Sequence, residues 1–297
     1  MCSFRCEGGF ENMMTDRRNA RLAALVLILS LALAACTGLK APDVSAPPAA
    51  NPNERLLYAN LYVQTAAEFE AICLQTYNWA AEKLKTKLAA VPKDGKTPAV
   101  VMDLDETVFD NSRYFSFLDR ERLAGASALW DLWEIEYFRE VLLVPGAKAF
   151  IEAAEGMGVS VVYISNRQTR LQNDTIAALR HLGLSVEDID RRLMLREESS
   201  EKTLRRAKAE SMFRVVMWVG DNLRDFSEEF TAPSQYANDA ERLQAIAARK
   251  EKVRRAAARW GDDWIVLPNP VYGEWPKPLG PEPRNFLRKT EMKKRPG

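Results

Sequence analysis

The stretch AVVMDLDETVFDNSRYF, Ala99 to Phe115, places Asp103, Asp105, Glu106 and Asp110 within eight positions, directly behind an apolar run. Carboxylates that close repel one another and lose hydration when buried, so a cation or a reaction has to justify them. Asp103 ends the apolar run and Asp105 follows two residues later on a tight turn, so both can face one small volume. Further along, VGDNLRDF sets Asp221 behind a glycine at the end of another apolar run, with Asp225 one helical turn beyond. A hard divalent cation such as Mg²⁺ selects carboxylate and carbonyl oxygens, and one held between Asp103 and an acid of the second run would offset the repulsion. Ser165 and Asn166, in VSVVYISNR, are neutral donors suited to phosphate oxygens. Lys202, at a helix start in ESSEKTLRR, offers a fixed positive charge.

These residues need elements to bring them together. Three short apolar runs, AVVMDLD, VSVVYISNR and RVVMWVGDN, each end on polar residues, and helical patterns such as 168–182 and 200–213 separate them. That alternation predicts β-α-β units in a parallel sheet, whose ligands bind beyond the carboxyl ends of the strands. From Glu54 to Ala90 the apolar spacing is helical and no glycine or proline interrupts it, while VPKDGKTP marks a loop. Between the first two strands lies a long aromatic segment, too long for one crossover helix. Residues 115–141 are predicted to form a small helical cap, with Pro145 starting the return helix. Trp130, Trp133, Tyr137 and Phe138 suit a cap core better than ligand contacts. No internal repeat is apparent.

Composition narrows the chemistry. With 42 basic and 41 acidic side chains among 297 residues, the chain carries no general basic bias that would suit a nucleic-acid polymer. The basic tail, 284–297, reads as a solvated terminus. A single histidine, His181, sits at the end of an amphipathic helical pattern, which excludes phosphohistidine enzymes, Ser-His-Asp hydrolases and multi-histidine zinc sites.

The amino terminus reads as an address. After Arg17, Arg18 and Arg21 comes an apolar run, Leu22 to Ala35, too short to span a bilayer, and then Cys36. The ending LAAC resembles a bacterial lipobox, which makes 1–35 a lipoprotein signal peptide and Cys36 the lipidated first residue of the mature chain. The segment before Met13 and Met14 is unlike such a leader, and one of these methionines is the expected start. Thr37, in place of an aspartate, resembles the sorting signal of Gram-negative lipoproteins for the outer membrane. The expected location is therefore lipid-anchored outside the cytoplasm. Residues 36–53, rich in proline and alanine, read as a tether to a domain spanning 54–283. Cys2 and Cys6 leave with the signal, so Cys73 has no intrachain partner and is expected to be a buried small hydrophobe.

The motifs DLDET…DNS, SNR, the lysine of SSEK, and GDNLRDF occur in the order that is typical of the haloacid dehalogenase superfamily. Behind a lipobox they resemble its class C (subfamily IIIB) bacterial acid phosphatases, of the lipoprotein 5′-nucleotidase type. LPNPVYGEW is similar to that family's terminal segment, and the resemblance spans about 54–275. It implies an α/β, Rossmann-like three-layer sandwich with a central parallel sheet and a small helical cap. It also implies a Mg²⁺-dependent phosphatase acting on phosphate monoesters. Asp103 would be the nucleophile, forming an aspartyl-phosphate. Asp105 would be the general acid and then the base, its backbone carbonyl also ligating the metal. Ser165, with Asn166 as a second candidate, would hold the phosphoryl oxygens and Lys202 would stabilise their charge. Asp221 would complete the metal ligands, with Asp225 either ligating directly or orienting a ligand. Glu106 is left as an outer acid, and Asp110 or Asn111 as a helix cap.

Tyr114, Trp130, Trp133 and Tyr272 are the candidates to stack a base or aryl ring, as in the aromatic strip of this family. Stacking tolerates many rings, which fits nucleoside monophosphates, nicotinamide mononucleotide among them, and aryl phosphates. Two other readings stay open: phosphotransfer to another alcohol at the same site, and a non-catalytic, lipid-anchored binding protein on a retired enzyme fold. Self-association as a homodimer is left open as well. Arg113 and Arg224 depart from the family pattern.

Overall fold

The computed structural model describes residues 54–92 and 95–288. The expected signal peptide 1–35, the lipidation site Cys36, the tether 36–53 and the end of the basic tail lie outside the described residues. Among the described residues no helix is long and apolar enough to cross a membrane.

The first helical stretch is two helices, α1 (Glu54–Thr65) and α2 (Ala67–Ala89), broken at an extended Ala66. No glycine or proline causes the break. The Thr65 hydroxyl donates to the Leu61 carbonyl at 2.7 Å, a side-chain bond to the previous turn of the kind that bends helices. Along α2, Phe69, Cys73, Tyr77, Ala80 and Leu84 recur at spacings of three and four, and all are buried. Cys73 is wholly inaccessible, and burial pushes its thiol up to about 12.

Next comes β1 (Pro98–Met102), whose short turn leads to β2 (Phe109–Asp110). The cap follows as α3 (Ser112–Arg120) and α4 (Ser127–Glu136), and β3 (Leu142–Leu143) pairs antiparallel with β2, so one small ribbon closes both ends of the insertion. The return helix is α5 (Ala147–Gly156), followed by β4 (Ser160–Gln168), α6 (Gln172–His181), α7 (Ile189–Arg192) and β5 (Leu193–Arg196). The chain then runs through α8 (Thr203–Met212), β6 (Arg214–Gly220), α9 (Asp239–Arg255) and β7 (Trp264–Val266).

The main sheet is five-stranded in the order β5-β4-β1-β6-β7, with every pair parallel. Its strands are near-continuous apolar runs because both faces are covered. Val100, Met102, Tyr163 and Met217 pack with α2, α5 and α6, whereas Val101, Val162, Ile164 and Trp218 pack with Ala209 and Phe230 on the other face. The architecture is therefore a three-layer α/β sandwich around a central parallel sheet. From β1 the chain moves one way to β4 and β5, then crosses to the other side for β6 and β7. Such a reversal leaves a crevice beyond the carboxyl ends of the strands flanking it.

Candidate active site

The register brings three strand ends together. Met102 of β1 lies beside Tyr163 of β4 and Val219 of β6, and the Asp103 amide donates to the Val219 carbonyl at 3.0 Å. Asp103 thus leaves the sheet next to Gly220 and Asp221. Beyond it the chain folds into a tight turn in which the Leu104 carbonyl accepts from the amides of Val108 and Phe109, both at 2.8 Å. The turn puts Glu106 in the left-handed region, at φ 59°, a strained position for a residue with a side chain. Its carboxylate holds it there. Oε1 accepts from the Asn111 amide and from Asn111 Nδ2, and Oε2 accepts from the Tyr272 hydroxyl.

Asp103, Asp221 and Asp225 form one cluster, with carboxylate oxygens within 4.8 Å of one another. Lys202, at the amino end of α8, reaches into it and donates 2.6 Å bonds to both Asp103 Oδ1 and Asp225 Oδ1. Its backbone amide is held by Glu228 Oε1 at 2.6 Å. Asp221 is fixed from two sides, by the Thr107 hydroxyl at 3.1 Å and by Asn269 Nδ2 at 2.8 Å. Asp225 is folded back over the strand end, its Oδ2 accepting from the Asn222 amide at 2.9 Å. Only glycine fits beneath it, since a Cβ at Gly220 would lie 2.3 Å from Asp225 Oδ2.

One lysine among three carboxylates leaves a negative balance. Burial, with Asp225 and Asp221 beside it, pushes the Asp103 carboxyl well above the usual range despite the pull of Lys202. Burial and Asp225 push Asp221 up to about 7. For Lys202, burial works against the charge, but Asp103 and Asp225 more than offset it and the ammonium is held above its ordinary value. An all-oxygen, under-neutralised set of this kind fits a hard divalent cation held by Asp103, Asp221 and, from the same cluster, Asp225.

Asp105 belongs to a different neighbourhood. Arg167 embraces it, with Nη2 at 2.8 Å and Nε at 3.0 Å from Oδ1, and Asn111 Nδ2 donates to the same oxygen at 3.0 Å. Oδ2 receives only the longer contact from Nε, at 3.2 Å. Arg167 is almost wholly buried and lies over the Phe109 ring, 4.8 Å from its centroid. Its Nη1 sits 3.9 Å from Glu134 of α4, and burial, more than Arg167 restrains it, pushes that glutamate up to about 7.

Asp103, Asp105, Asn166, Lys202, Asp221, Asp225 and Tyr272 all line one cavity of about 110 Å³, joined there by Ser200, Asn222 and Arg224. Ser165 does not line it. Its hydroxyl is buried and accepts from the Arg167 amide at 3.1 Å. Asn166 Oδ1 accepts from Arg205 at 2.7 Å, which turns that amide's oxygen away from any anion. The aromatics divide in the same way. Tyr272 lines the cavity. Tyr114 and Trp133 are buried in the cap, where Tyr114 packs edge-on to Trp130 with centroids 4.9 Å apart and Trp133 donates to Asn111 Oδ1 at 2.9 Å. Asp110 caps α3 by accepting from the Ser112 amide at 2.8 Å. Arg224 joins the site through Glu228, at 2.8 Å, while Arg113 pairs with Glu140 on the surface.

Several residues here had no assigned role in the sequence reading. Arg167 stood inside the SNR motif, and an arginine ending a buried strand signals a buried cation that needs an acid. Asn269, between two prolines in LPNPVYGEW, orients Asp221 and accepts from the Val271 amide at 2.9 Å. Asn111, a candidate helix cap, makes no side-chain cap bond and instead holds Asp105 and Glu106, whereas Thr107 and Glu134 carry no comparable signal, because their partners Asp221 and Arg167 lie far along the chain.

Comparison with known proteins points the same way. The model of the haloacid dehalogenase superfamily, subfamily IIIB (acid phosphatase), matches residues 27–275. The class C acid phosphatase from Bacillus anthracis is 30% identical, and the match covers 80% of this chain and 98% of that one with a TM-score of 0.69. A crystal structure of the class C acid phosphatase from the same organism with tungstate bound matches at 28% identity, 82% and 100% coverage and a TM-score of 0.70.

Proposed function

The chain belongs to the acid phosphatases of haloacid dehalogenase subfamily IIIB and is a phosphoric monoester hydrolase, and from that premise we propose a Mg²⁺-dependent enzyme that works through an aspartyl-phosphate on Asp103. The observation that carries the reading is the convergence of Asp103, Asp221 and Asp225 around Lys202, with Asp105 held apart on Arg167. The tungstate-bound relative supports a pocket that accepts a tetrahedral oxyanion.

Asp103, Asp221, the Asp105 carbonyl and Asp225, directly or as an orienting group, would hold the cation. When bound, it would neutralise carboxylate charge and polarise a phosphoryl oxygen. The Asp103 carboxylate attacks phosphorus, forming an O–P bond as the bond to the leaving alkoxide breaks. Lys202 faces the equatorial oxygens and stabilises their charge. Asp105 gives a proton to the alkoxide and then takes one from the water that releases phosphate. With Oδ1 held by Arg167 and Asn111, Oδ2 is the oxygen left to move that proton. Asn166 acts at the β4 end of the pocket, which requires its side-chain amide to present its nitrogen, while Ser165 lies behind it and accepts from the Arg167 amide. The group beyond the phosphate meets Tyr272 first, with Tyr114, Trp130 and Trp133 behind it as the body of the cap. That arrangement favours nucleoside monophosphates and aryl phosphates. We place the enzyme outside the cytoplasm, anchored by lipid on Cys36 in the outer membrane, a reading that rests on the lipobox and Thr37 alone.

The test is phosphate release from a panel of nucleoside monophosphates and aryl phosphates, with Mg²⁺ and after chelation. Activity that disappears on chelation and returns with Mg²⁺ is expected. Undiminished turnover in chelator ends the reading.

A further inference from the structure

A second cavity, of about 420 Å³, lies between α9 and the chain from Glu274 to Leu279, just beyond Tyr272 in the sequence. Its volume is that of a small-molecule site, and its wall is largely apolar, built from Pro233, Ile246, Val253, Trp275 and Leu279. A cavity of this composition recognises an organic body rather than a bare ion.

Two polar groups in the wall give it a direction. The Tyr236 hydroxyl is shut off from solvent and has no hydrogen-bond partner among the described residues. A buried hydroxyl without a partner is costly, so a small movement of the ring that brings it to the cavity wall and onto an acceptor there is favoured. Arg249 is partly buried and uses Nε on the Phe230 carbonyl at 3.0 Å. Lys250 and Lys252 also line the cavity. The one acid in the wall, Glu274, is already matched: it accepts from the Ala232 amide at 2.8 Å, from Lys277 at 2.6 Å and from Arg224 at 3.4 Å. The charge that remains to be met is positive.

We propose that this cavity is a second ligand site, distinct from the phosphate pocket, for a small organic acid: an aromatic ring or branched alkyl body carrying one anionic group. The body lies against Ile246, Val253 and Trp275, and the anionic group accepts from the Tyr236 hydroxyl and pairs with Arg249. The site differs from the catalytic cavity in what it selects. There the phosphate is met by Lys202 deep in a polar pocket and anchors the ligand, whereas here most of the contact is apolar and the anion only orients it.

The test is a fluorescence titration of the full chain with 8-anilinonaphthalene-1-sulfonate, an aromatic anion that brightens in apolar surroundings. One dye per chain is expected, displaced by benzoate and left in place by benzylamine or orthophosphate. Tyr236→Phe and Arg249→Gln should each weaken binding about tenfold, the scale of one lost polar contact. Ala245→Trp, which fills the cavity from α9, should abolish binding while phosphatase turnover persists. Displacement by orthophosphate would assign the dye to the phosphate pocket and overturn the proposal, as would equal displacement by benzylamine. Unchanged affinity in Tyr236→Phe and Arg249→Gln overturns it too, and these conservative variants decide the matter even where Ala245→Trp fails to fold.

Discussion

Asp103 and Asp105 stand two residues apart, yet the molecule treats them as belonging to different regions. Asp103 sits on the core side, among Asp221 and Asp225, and shares one lysine with Asp225. Asp105 sits on the cap side with an arginine of its own, locked by Asn111 from the base of the cap. The first arrangement is short of positive charge and suits a metal and a nucleophile. The second is neutralised and geometrically fixed, and suits a group that must hand over protons from one oxygen. In the proposed mechanism, two identical side chains acquire two roles from their surroundings alone.

Breaking the core side should have the largest effect. Asp103→Asn is expected to lose at least ~10³-fold in phosphate release while thermal unfolding shows a folded protein, since in the proposed mechanism Asp103 is the group that accepts the phosphoryl. Retention of more than a tenth of the activity would remove Asp103 from the nucleophile's position. On the cap side, Arg167→Met should cost about 10²-fold in kcat by freeing Asp105. It should also destabilise the fold by ~3 kcal/mol, because Asp105 and, at longer range, Glu134 lose their cation. Adding Glu134→Gln should recover part of the stability without recovering turnover. If the double variant regains both, Arg167 is only a packing residue.

Smaller changes sharpen the contrast. Gly220→Ala forces Asp225 to move, and the Mg²⁺ concentration for half-maximal activity should rise about tenfold with kcat at saturation little changed. Glu134 provides a pH signature of the cap side. Its folded value, about 7, lies above the unfolded 4.5, so its neutral form is the one the fold prefers. The stability that this gives is complete below pH 4.5, falls as pH rises and is gone above about 7. Glu134→Gln should flatten that slope in pH-dependent thermal unfolding, and an unaltered slope would place the titration elsewhere. The smallest effect is expected from Tyr272→Phe, which removes one hydrogen bond to Glu106 and should lower kcat/KM by less than about tenfold. A larger loss confined to nucleotides would instead mark Tyr272 as the ring that sorts substrates.

Much of this was legible in the letters. Apolar runs ending in polar residues predict strand ends at a common sheet edge, and β1, β4 and β6 meet there. Helical spacing in α2 and the capping role of Asp110 follow from local chemistry as well. The break at Ala66 was not legible, because no residue there forbids a helix. Nor were the positions of Ser165, Tyr114 and Trp133 relative to the cavity, since a strand end or an aromatic insertion says which region a residue occupies and not which way it faces.

The sequence by itself determined the inventory: which acids and which lysine end up at the sheet's carboxyl edge, because side-chain period and strand length are local properties. Tertiary structure alone decided how that inventory is divided. Lys202 reaches Asp103 across 99 positions of chain and Arg167 reaches Asp105 across 62, and whether a carboxylate meets a lysine, an arginine or another carboxylate depends on how helices, cap and strands pack over that edge. Charge environment is set by neighbours in space, and no spacing along the chain encodes it.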